Sequence, residues 1–291
     1  MRVLFGGVRV MAICLAALGG SVLRADLQAQ QSDALARIKI AAQQRALVQT
    51  MAKSTCYLMA DISPQMQAEQ AFIASVVFEE NITALRSGEA EGIVAAENDA
   101  TILADLDRVE EVWRTFGPAS RQVMSGDFHT VPVQQLIALN PLVAAHLETL
   151  VSHVATTYKE RLVTRQDMIS TVTHAAGQSM LARKAVKELC YIGLDLLPAE
   201  MRADLVQSIE RFEQIMAAME MGDYDMGIVD PPSLAAIKQV MAMKDLWAEL
   251  RPLLDHGVKS GEIDRETLVQ AAAFSDEMVA LTDGMVALYL D

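Results

Sequence analysis

Polar and apolar residues between positions 41 and 60 fall on two adjacent stripes of a helix. Arg45, Gln49, Ala52 and Cys56 are spaced by four, three and four residues, which places them on one helical face. The neighbouring stripe is apolar and contains Leu47, Met51 and Leu58. This periodicity predicts a helix that packs one side against other helices.

Prolines and glycines divide the rest of the chain into further helical segments. In the first half, the predicted helices cover about 33–60, 65–87 and 98–116, and a fourth begins after Pro132 or Pro141. In the second half, they fall near 168–196, 199–221, 232–250 and 264–290. Apolar residues make up 52% of the chain and aromatic residues only 5%, which favours packed helices over sheets.

The sequence matches itself at an offset of 134 residues. Cys56 aligns with Cys190, and the only two tryptophans, Trp113 and Trp247, also align. Further identical pairs are Gln44 with Gln178, Leu47 with Leu181, Lys53 with Lys187, Tyr57 with Tyr191, Pro64 with Pro198 and Gly88 with Gly222. Such a repeat indicates an internal duplication. We therefore predict an all-α fold of two tandem four-helix bundles, one at 26–165 and one at 166–291.

Residues 1–25 have the layout of a secretory signal peptide. Arg2 and Arg9 precede an apolar run from Val10 to Leu18, and small residues follow up to Ala25. The apolar run is well short of the ~20 residues that a membrane span needs. We therefore expect export to the periplasm, cleavage near Ala25 or Ala29, and no insertion of the processed protein into the membrane.

Charge and motif content exclude several classes of function. The chain has 24 basic and 38 acidic residues; without Arg2, Arg9 and Arg24 this becomes 21 against 38, a net charge of −17. Such a field disfavours nucleic acids and anionic membrane surfaces. The chain has no nucleophile elbow, phosphate-binding loop, zinc-ligand motif or haem motif. We therefore expect a protein that is not an enzyme and carries no cofactor or metal.

Two arrangements of the bundles are open at this point. No proline lies between Pro141 and Pro198, so the fourth and fifth helices could form one long rod that stacks the bundles end to end. A turn near 164–173 would instead lay them side by side and bring Cys56 and Cys190 together. A disulfide requires Cα atoms within about 7 Å, which the rod would forbid. The pattern slightly favours the rod, with two buried thiols.

The segment Ala41-Ala-Gln-Gln-Arg-Ala-Leu-Val-Gln-Thr-Met-Ala-Lys53 resembles a family motif. It is similar to A-G-R-Q-R-M-L-S-Q-R-I-A-K of the type IV pili methyl-accepting chemotaxis transducer N-terminal domain, the PilJ/NarX-type periplasmic sensor module. A weaker version spans Ala175 to Lys187, where Ser179 replaces the arginine of position 45. The resemblance implies a ligand-sensing four-helix bundle. Because family members join this module to transmembrane and signalling domains, it also implies a membrane-bound signalling partner.

The resemblance points to a small anionic ligand near Arg45, since in nitrate-sensing members the arginine at this position contacts the anion. An arginine can offer a planar fork of donors to a carboxylate or an oxyanion. We predict that the ligand-binding residues are Arg45, Gln44, Gln49, Gln178 and Arg183. If the bundles lie side by side, Arg45 and Arg183 could flank one anion.

The alternative is a structural or protein-interaction role without a ligand. Arg45 would then cover apolar surface and bond to a carboxylate of a neighbouring helix, as long cationic side chains often do. The two roles differ in the surroundings of the guanidinium. A binding role predicts that it faces inward, or faces an interface, beside a small polar cavity. A scaffold role predicts an ion pair at the surface.

Overall fold

The computed structural model describes residues 10–89, 92–162, 166–260 and 262–290. The helices within these ranges are α1 Val10–Met59, α2 Pro64–Ser87, α3 Ala100–Met124, α4 Thr130–Tyr158, α5 Gln166–Gly193, α6 Pro198–Met221, α7 Leu234–Lys259 and α8 Arg265–Leu290. The same ranges contain no β-strand, so the predicted all-α fold is confirmed. Positions 1–9 of the predicted signal peptide, and the side chains of its apolar run, lie outside the described part of the chain.

Two helices, α1 and α5, form the centre of the molecule. They pack against each other; α1 also contacts α2, α3 and α4, and α5 contacts α6, α7 and α8. Residues 51–57 of α1 and 185–192 of α5 are buried without interruption. These two segments are therefore covered on every side, as expected for helices at the middle of a core.

No helix in the described ranges combines the length and the apolar character needed to cross a membrane.

The expected rod is wrong. Helix α4 ends at Tyr158, a 3₁₀ turn covers Lys159–Arg161, and α5 starts at Gln166. Tyr158 and Leu162 are buried at this break, so leaving the helix axis covers apolar surface that a rod would expose. The reversal brings α5 beside α1, and Cys56 and Cys190 form a disulfide with Cα atoms 6.2 Å apart.

The predicted helix ends at Pro118 and Pro252 are also wrong. Helix α3 continues to Met124 and α7 to Lys259, with the prolines inside. A proline inside a helix costs roughly 3 kcal/mol. The turns beyond these prolines bury several side chains, namely Ala119, Ser120, Val123 and Leu254. Tertiary packing therefore outweighs the local preference to stop. Helix α4 includes both Pro132 and Pro141, and Pro132 lies in its first turn, where its missing N–H removes no helical bond.

Local geometry recurs at the 134-residue spacing. Asp61 and Asp195, which follow the central helices, have φ angles of 55° and 56°. Phe78 stacks on Trp113 with ring centroids 4.1 Å apart, and Phe212 stacks on Trp247 at 3.8 Å. The indole N–H groups of Trp113 and Trp247 donate to Glu79 and Glu213, both at 3.1 Å. These correspondences support the internal duplication, which stays a prediction.

A buried charged cluster fixes one end of the first half. Arg37 is 1% exposed and pairs with Asp33 at 3.0 Å and Glu97 at 2.9 Å. It also donates to the carbonyl oxygen of Ala95, and the Tyr158 hydroxyl donates to Glu97 at 2.8 Å. The cluster therefore joins α1, the α2–α3 loop and the end of α4.

The second half fastens the corresponding loop differently. Thr171 stands 134 residues after Arg37, and its hydroxyl accepts from the backbone N–H of Val229 at 2.9 Å. The Thr171 hydroxyl also donates to the carbonyl oxygen of Gly227 at 3.4 Å, and that of Ser170 donates to Met226 at 2.9 Å, so neutral hydrogen bonds take the place of a charged cluster.

The disulfide should be a large contributor to stability. Replacing both cysteines (Cys56→Ala with Cys190→Ala) should lower the free energy of unfolding by about 3–5 kcal/mol, because the cross-link closes a long loop and restricts the unfolded chain. Chemical denaturation of the variant and the wild type measures this difference. As a control, wild-type protein reduced before the measurement should lose a similar amount. The wild-type protein can also be denatured without reduction and alkylated. Labelling of both Cys56 and Cys190 would contradict the cross-link.

Candidate functional site

A cleft of about 360 Å³ lies between α1, α2, α5 and α8. Four of its side chains are charged or carry an amide, namely Lys53, Gln70, Arg183 and Asp276. The remaining lining is largely apolar and consists of Leu47, Thr50, Ile73, Ala74 and Val279. Both central helices thus contribute a cation to one concave surface.

Lys53 is held at the inner side of this cleft by an ion pair. Its side chain is 1% exposed, and Nζ lies 2.6 Å from Oδ1 of Asp276 on α8. The other carboxylate oxygen of Asp276 accepts from Gln70 at 3.3 Å, and Gln70 accepts from Ser54 at 3.3 Å. Burial lowers the pKa of Lys53, and the charge of Asp276 opposes this shift. The arrangement fixes α1, α2 and α8 around one charge pair.

Arg183 is the second cation of the cleft and is differently placed. Its Nη1 donates to the hydroxyl of Ser179 one turn earlier on α5. No carboxylate in the described part of the chain lies within 4.0 Å of its guanidinium, although the charges of Asp283 and Asp276 act on it from farther away. Burial lowers the pKa of Arg183, and its charge in turn lowers that of Lys53. The positive charges of Lys53 and Arg183 therefore both affect the interior of the cleft.

This geometry suits a small anion. Guanidinium groups bind planar carboxylates and oxyanions through two parallel hydrogen bonds, and a nearby ammonium adds charge without directional demands. Arg183 has donor groups left over after its bond to Ser179, whereas Lys53 is already paired with Asp276. A ligand would thus be oriented by Arg183 and attracted by both cations.

The structure places Arg45 away from this cleft. Its Nη1 forms an ion pair with Glu148 of α4, whose side chain is 65% exposed, while the Arg45 side chain is 9% exposed. Its Nη2 lies 3.8 Å from where a Cβ on Gly177 of α5 would be. Arg45 therefore faces the junction of α1, α4 and α5. Its contacts are with α4 and α5 rather than with α2 and α8, so Arg45 and Arg183 do not flank one anion.

The three predicted glutamines have different surroundings. Gln178 is fully buried and donates to the backbone carbonyl of Phe212 at 3.0 Å. Gln44 is also fully buried, and its amide has no hydrogen-bond partner among the described residues. Gln49 accepts from Lys187 of α5 at 3.1 Å. None of these side chains lines the cationic cleft.

Lys187 forms a second buried polar site on the central helix pair. Its ammonium donates to Asn140 of α4 at 2.8 Å as well as to Gln49, and lies 4.0 Å from the Glu188 carboxylate. Burial lowers the pKa of Lys187 to about 8 and raises that of Glu188. Neither Lys53 nor Lys187 was among the ligand-binding residues predicted from the sequence. The available signal was that both end the same motif, 134 residues apart.

No family model matches the chain, and no curated protein matches it in sequence. The similarity to the periplasmic sensor module therefore rests on the segment from Ala41 to Lys53 and stays a prediction.

Lys187 should make the protein more stable as the pH rises from 7 to 9. Its pKa is about 8 in the folded protein and near 10.4 in the unfolded chain, so the folded state releases a proton that the unfolded state keeps. Lys187 should contribute a gain of about 1 kcal/mol in unfolding free energy over this range, and the raised pKa of Glu188 acts in the opposite direction. Above pH 10 stability should fall, because burial raises the pKa of Tyr57 and Tyr191 and only the unfolded tyrosines ionise readily.

Denaturation curves at each pH, with Lys187→Met as the control, measure this dependence. The variant should lose most of the rise, and what remains should come from Lys53, whose pKa is lowered in the same direction. The same pH dependence of stability in the wild type and in Lys187→Met between pH 7 and 9 would contradict the assignment.

Proposed function

We propose that the protein is an exported, non-catalytic binding protein that holds a small monovalent carboxylate or oxyanion in the cleft between Lys53 and Arg183. The observation that carries this proposal is the Arg183 guanidinium, which lines the cleft with no described carboxylate within 4.0 Å. A buried or partly buried cation without a close counter-ion gains more from an incoming anion than an exposed one does, because water screens it less.

The cleft also limits the class of ligand. Its volume of about 360 Å³ lies at the small end of the range for ligand sites, which suits a molecule of few atoms. Asp276 is part of the wall, and Asp283 lies near enough to affect the pKa of Arg183. These two acids disfavour ligands with several negative charges, and so does the net charge of −14. We therefore favour a monoanion such as nitrate, nitrite or acetate.

Binding in this cleft would affect how the two halves of the chain pack. Lys53 belongs to α1 and Arg183 to α5, so an anion bound by Arg183 beside the Lys53 ammonium adds an electrostatic interaction across the central helix pair. A ligand shifts a conformational equilibrium only by its difference in affinity between the states. Because the Cys56–Cys190 disulfide already holds α1 beside α5, the ligand would stabilise this packing further. A membrane-bound signalling partner that senses this packing would read the ligand.

Export is supported by two features. The first is the signal-peptide pattern of residues 1–25. The second is the Cys56–Cys190 disulfide, since such cross-links persist in oxidising compartments.

A structural or protein-interaction role is the second candidate function. Its support is the ion pair between Arg45 and Glu148, which is the contact expected of a scaffold arginine. Under this proposal the cationic cleft holds no ligand, and Arg45 serves only to join α1 to α4.

Thermal unfolding in the presence of nitrate, nitrite or acetate tests the anion proposal, with chloride at equal ionic strength as the reference. At one hundred times its dissociation constant, a ligand should add about 2.7 kcal/mol to the free energy of unfolding. Arg183→Gln should remove this gain because the planar donor fork is lost. Arg45→Gln is the matched control, since it removes a guanidinium on α1 outside the cleft, and it should keep the gain.

The outcomes separate the alternatives. A gain that survives Arg183→Gln but is lost in Arg45→Gln would move the site to Arg45, as the family resemblance predicts. If none of the anions raises the unfolding free energy of correctly folded wild-type protein, the scaffold role is favoured.

A further inference from the structure

A groove of about 640 Å³ lies at the C-terminal end of α5. It is bounded by the first turns of α4 and by the turn that joins α5 to α6. Its apolar walls include Met59, Phe128, Val133, Ile137 and Leu197. Three polar residues, Thr130, Gln134 and Asp195, lie at its edge and are exposed. None of these residues lines the cationic cleft.

The corresponding place in the other half of the molecule is bridged by an arginine. There, the first turn of α8 meets the turn that joins α1 to α2. Arg265 donates to the carbonyl oxygen of Ala60 at 3.1 Å and to that of Asp61. One guanidinium thus fastens the start of α8 to the end of α1.

Thr130 stands where Arg265 stands in this second contact. Thr130 is the first residue of α4 and Arg265 the first of α8. Between α4 and α8 the offset is 135 residues, one more than in the preceding helices, because at this spacing the buried positions coincide, as in the pairs Val133 and Leu268, Asn140 and Ser275, and Leu150 and Met285. The two turns correspond as well, since Asp61 and Asp195 share their left-handed backbone conformation.

The short side chain of Thr130 leaves the groove unsealed. In the described chain, no donor reaches the carbonyl oxygens of Leu194 and Asp195, which correspond to those that Arg265 binds on the α1–α2 turn. The Asp195 carboxylate is exposed beside them and makes no described ion pair. The groove therefore has acceptor groups arranged for a guanidinium, next to apolar walls.

We propose that this groove binds a segment of a partner protein through an arginine side chain that is flanked by an apolar residue. The guanidinium would take the position that Arg265 takes in the other half, donating to Leu194 and Asp195, and the apolar side chain would lie on Ile137 and Leu197. Arginine suits this site better than lysine because its planar fork can serve two carbonyl oxygens at once. The net charge of −14 further favours a basic partner. The proposal does not depend on anion binding.

The peptide acetyl-Leu-Arg-Leu-amide is the probe, and its citrulline analogue is the control of equal shape without charge. Calorimetric or NMR titration of the full-length protein should show at least tenfold tighter binding of the arginine peptide. Thr130→Arg should abolish this binding and raise the melting temperature, because the new side chain fills the groove from within. Val131→Arg is the matched control: it adds the same charge at a neighbouring, 63% exposed position and should leave binding intact.

Asp195→Asn gives a second test that does not rely on filling the groove, and it should weaken binding of the arginine peptide several-fold. Equal affinity for the two peptides, undiminished binding to folded Thr130→Arg, or no binding at millimolar peptide would each overturn the proposal. Loss of anion-induced stabilisation in Arg183→Gln with intact peptide binding would show that the groove and the cleft are separate sites.

Discussion

The contact between α1 and α5 is the constraint on which the rest of the structure depends. Residues 51–57 and 185–192 are buried throughout, and the Cys56–Cys190 cross-link holds these two segments together. The segments also bury Lys53 and Lys187, and a buried charge is costly unless it is paired and hydrogen-bonded. Asp276 on α8 pairs with Lys53, while Lys187 has the Glu188 carboxylate at 4.0 Å and donates a hydrogen bond to Asn140 on α4, so the central pair also sets where the outer helices lie.

Local sequence signals were sufficient for some elements and insufficient for others. The ends of α2 and α6 agree closely with prediction, because a proline starts each helix and a glycine with a φ of 75° follows each. The ends of α3 and α7 were missed because their prolines lie among residues that tertiary packing buries. The turn before α5 was missed for a similar reason: the burial of Tyr158 and Leu162 depends on helices distant in sequence.

The candidate site shows the same limit. Periodicity placed Arg45 on a face beside apolar residues, but its partner Glu148 lies 103 residues away and no local pattern points to it. Arg183 was identified only because it aligns with Gln49, and its neighbours Lys53 and Asp276 come from α1 and α8. Lys53 carried a usable signal, since it matches Lys187 in the repeated motif. Asp276 carried none, because the residue at the corresponding position of α4 is Pro141.

The pairing of two similar halves within one chain has a consequence for stoichiometry. In a homodimer, symmetry would give both halves the same residues, so a change that sealed one groove would seal the other. Here Arg265 bridges the contact between α8 and the α1–α2 turn, whereas Thr130 leaves the contact between α4 and the α5–α6 turn open. Likewise, Asp276 pairs with Lys53, whereas the corresponding residue near Lys187 is Pro141, which follows Asn140. Within the described part of the chain, the cleft at Arg183 and the groove at Thr130 therefore each lack an equivalent with the same residues in the other half. Occupancy of either should follow a simple hyperbola with a Hill coefficient of about one, since a single site per chain has no identical neighbour with which to cooperate.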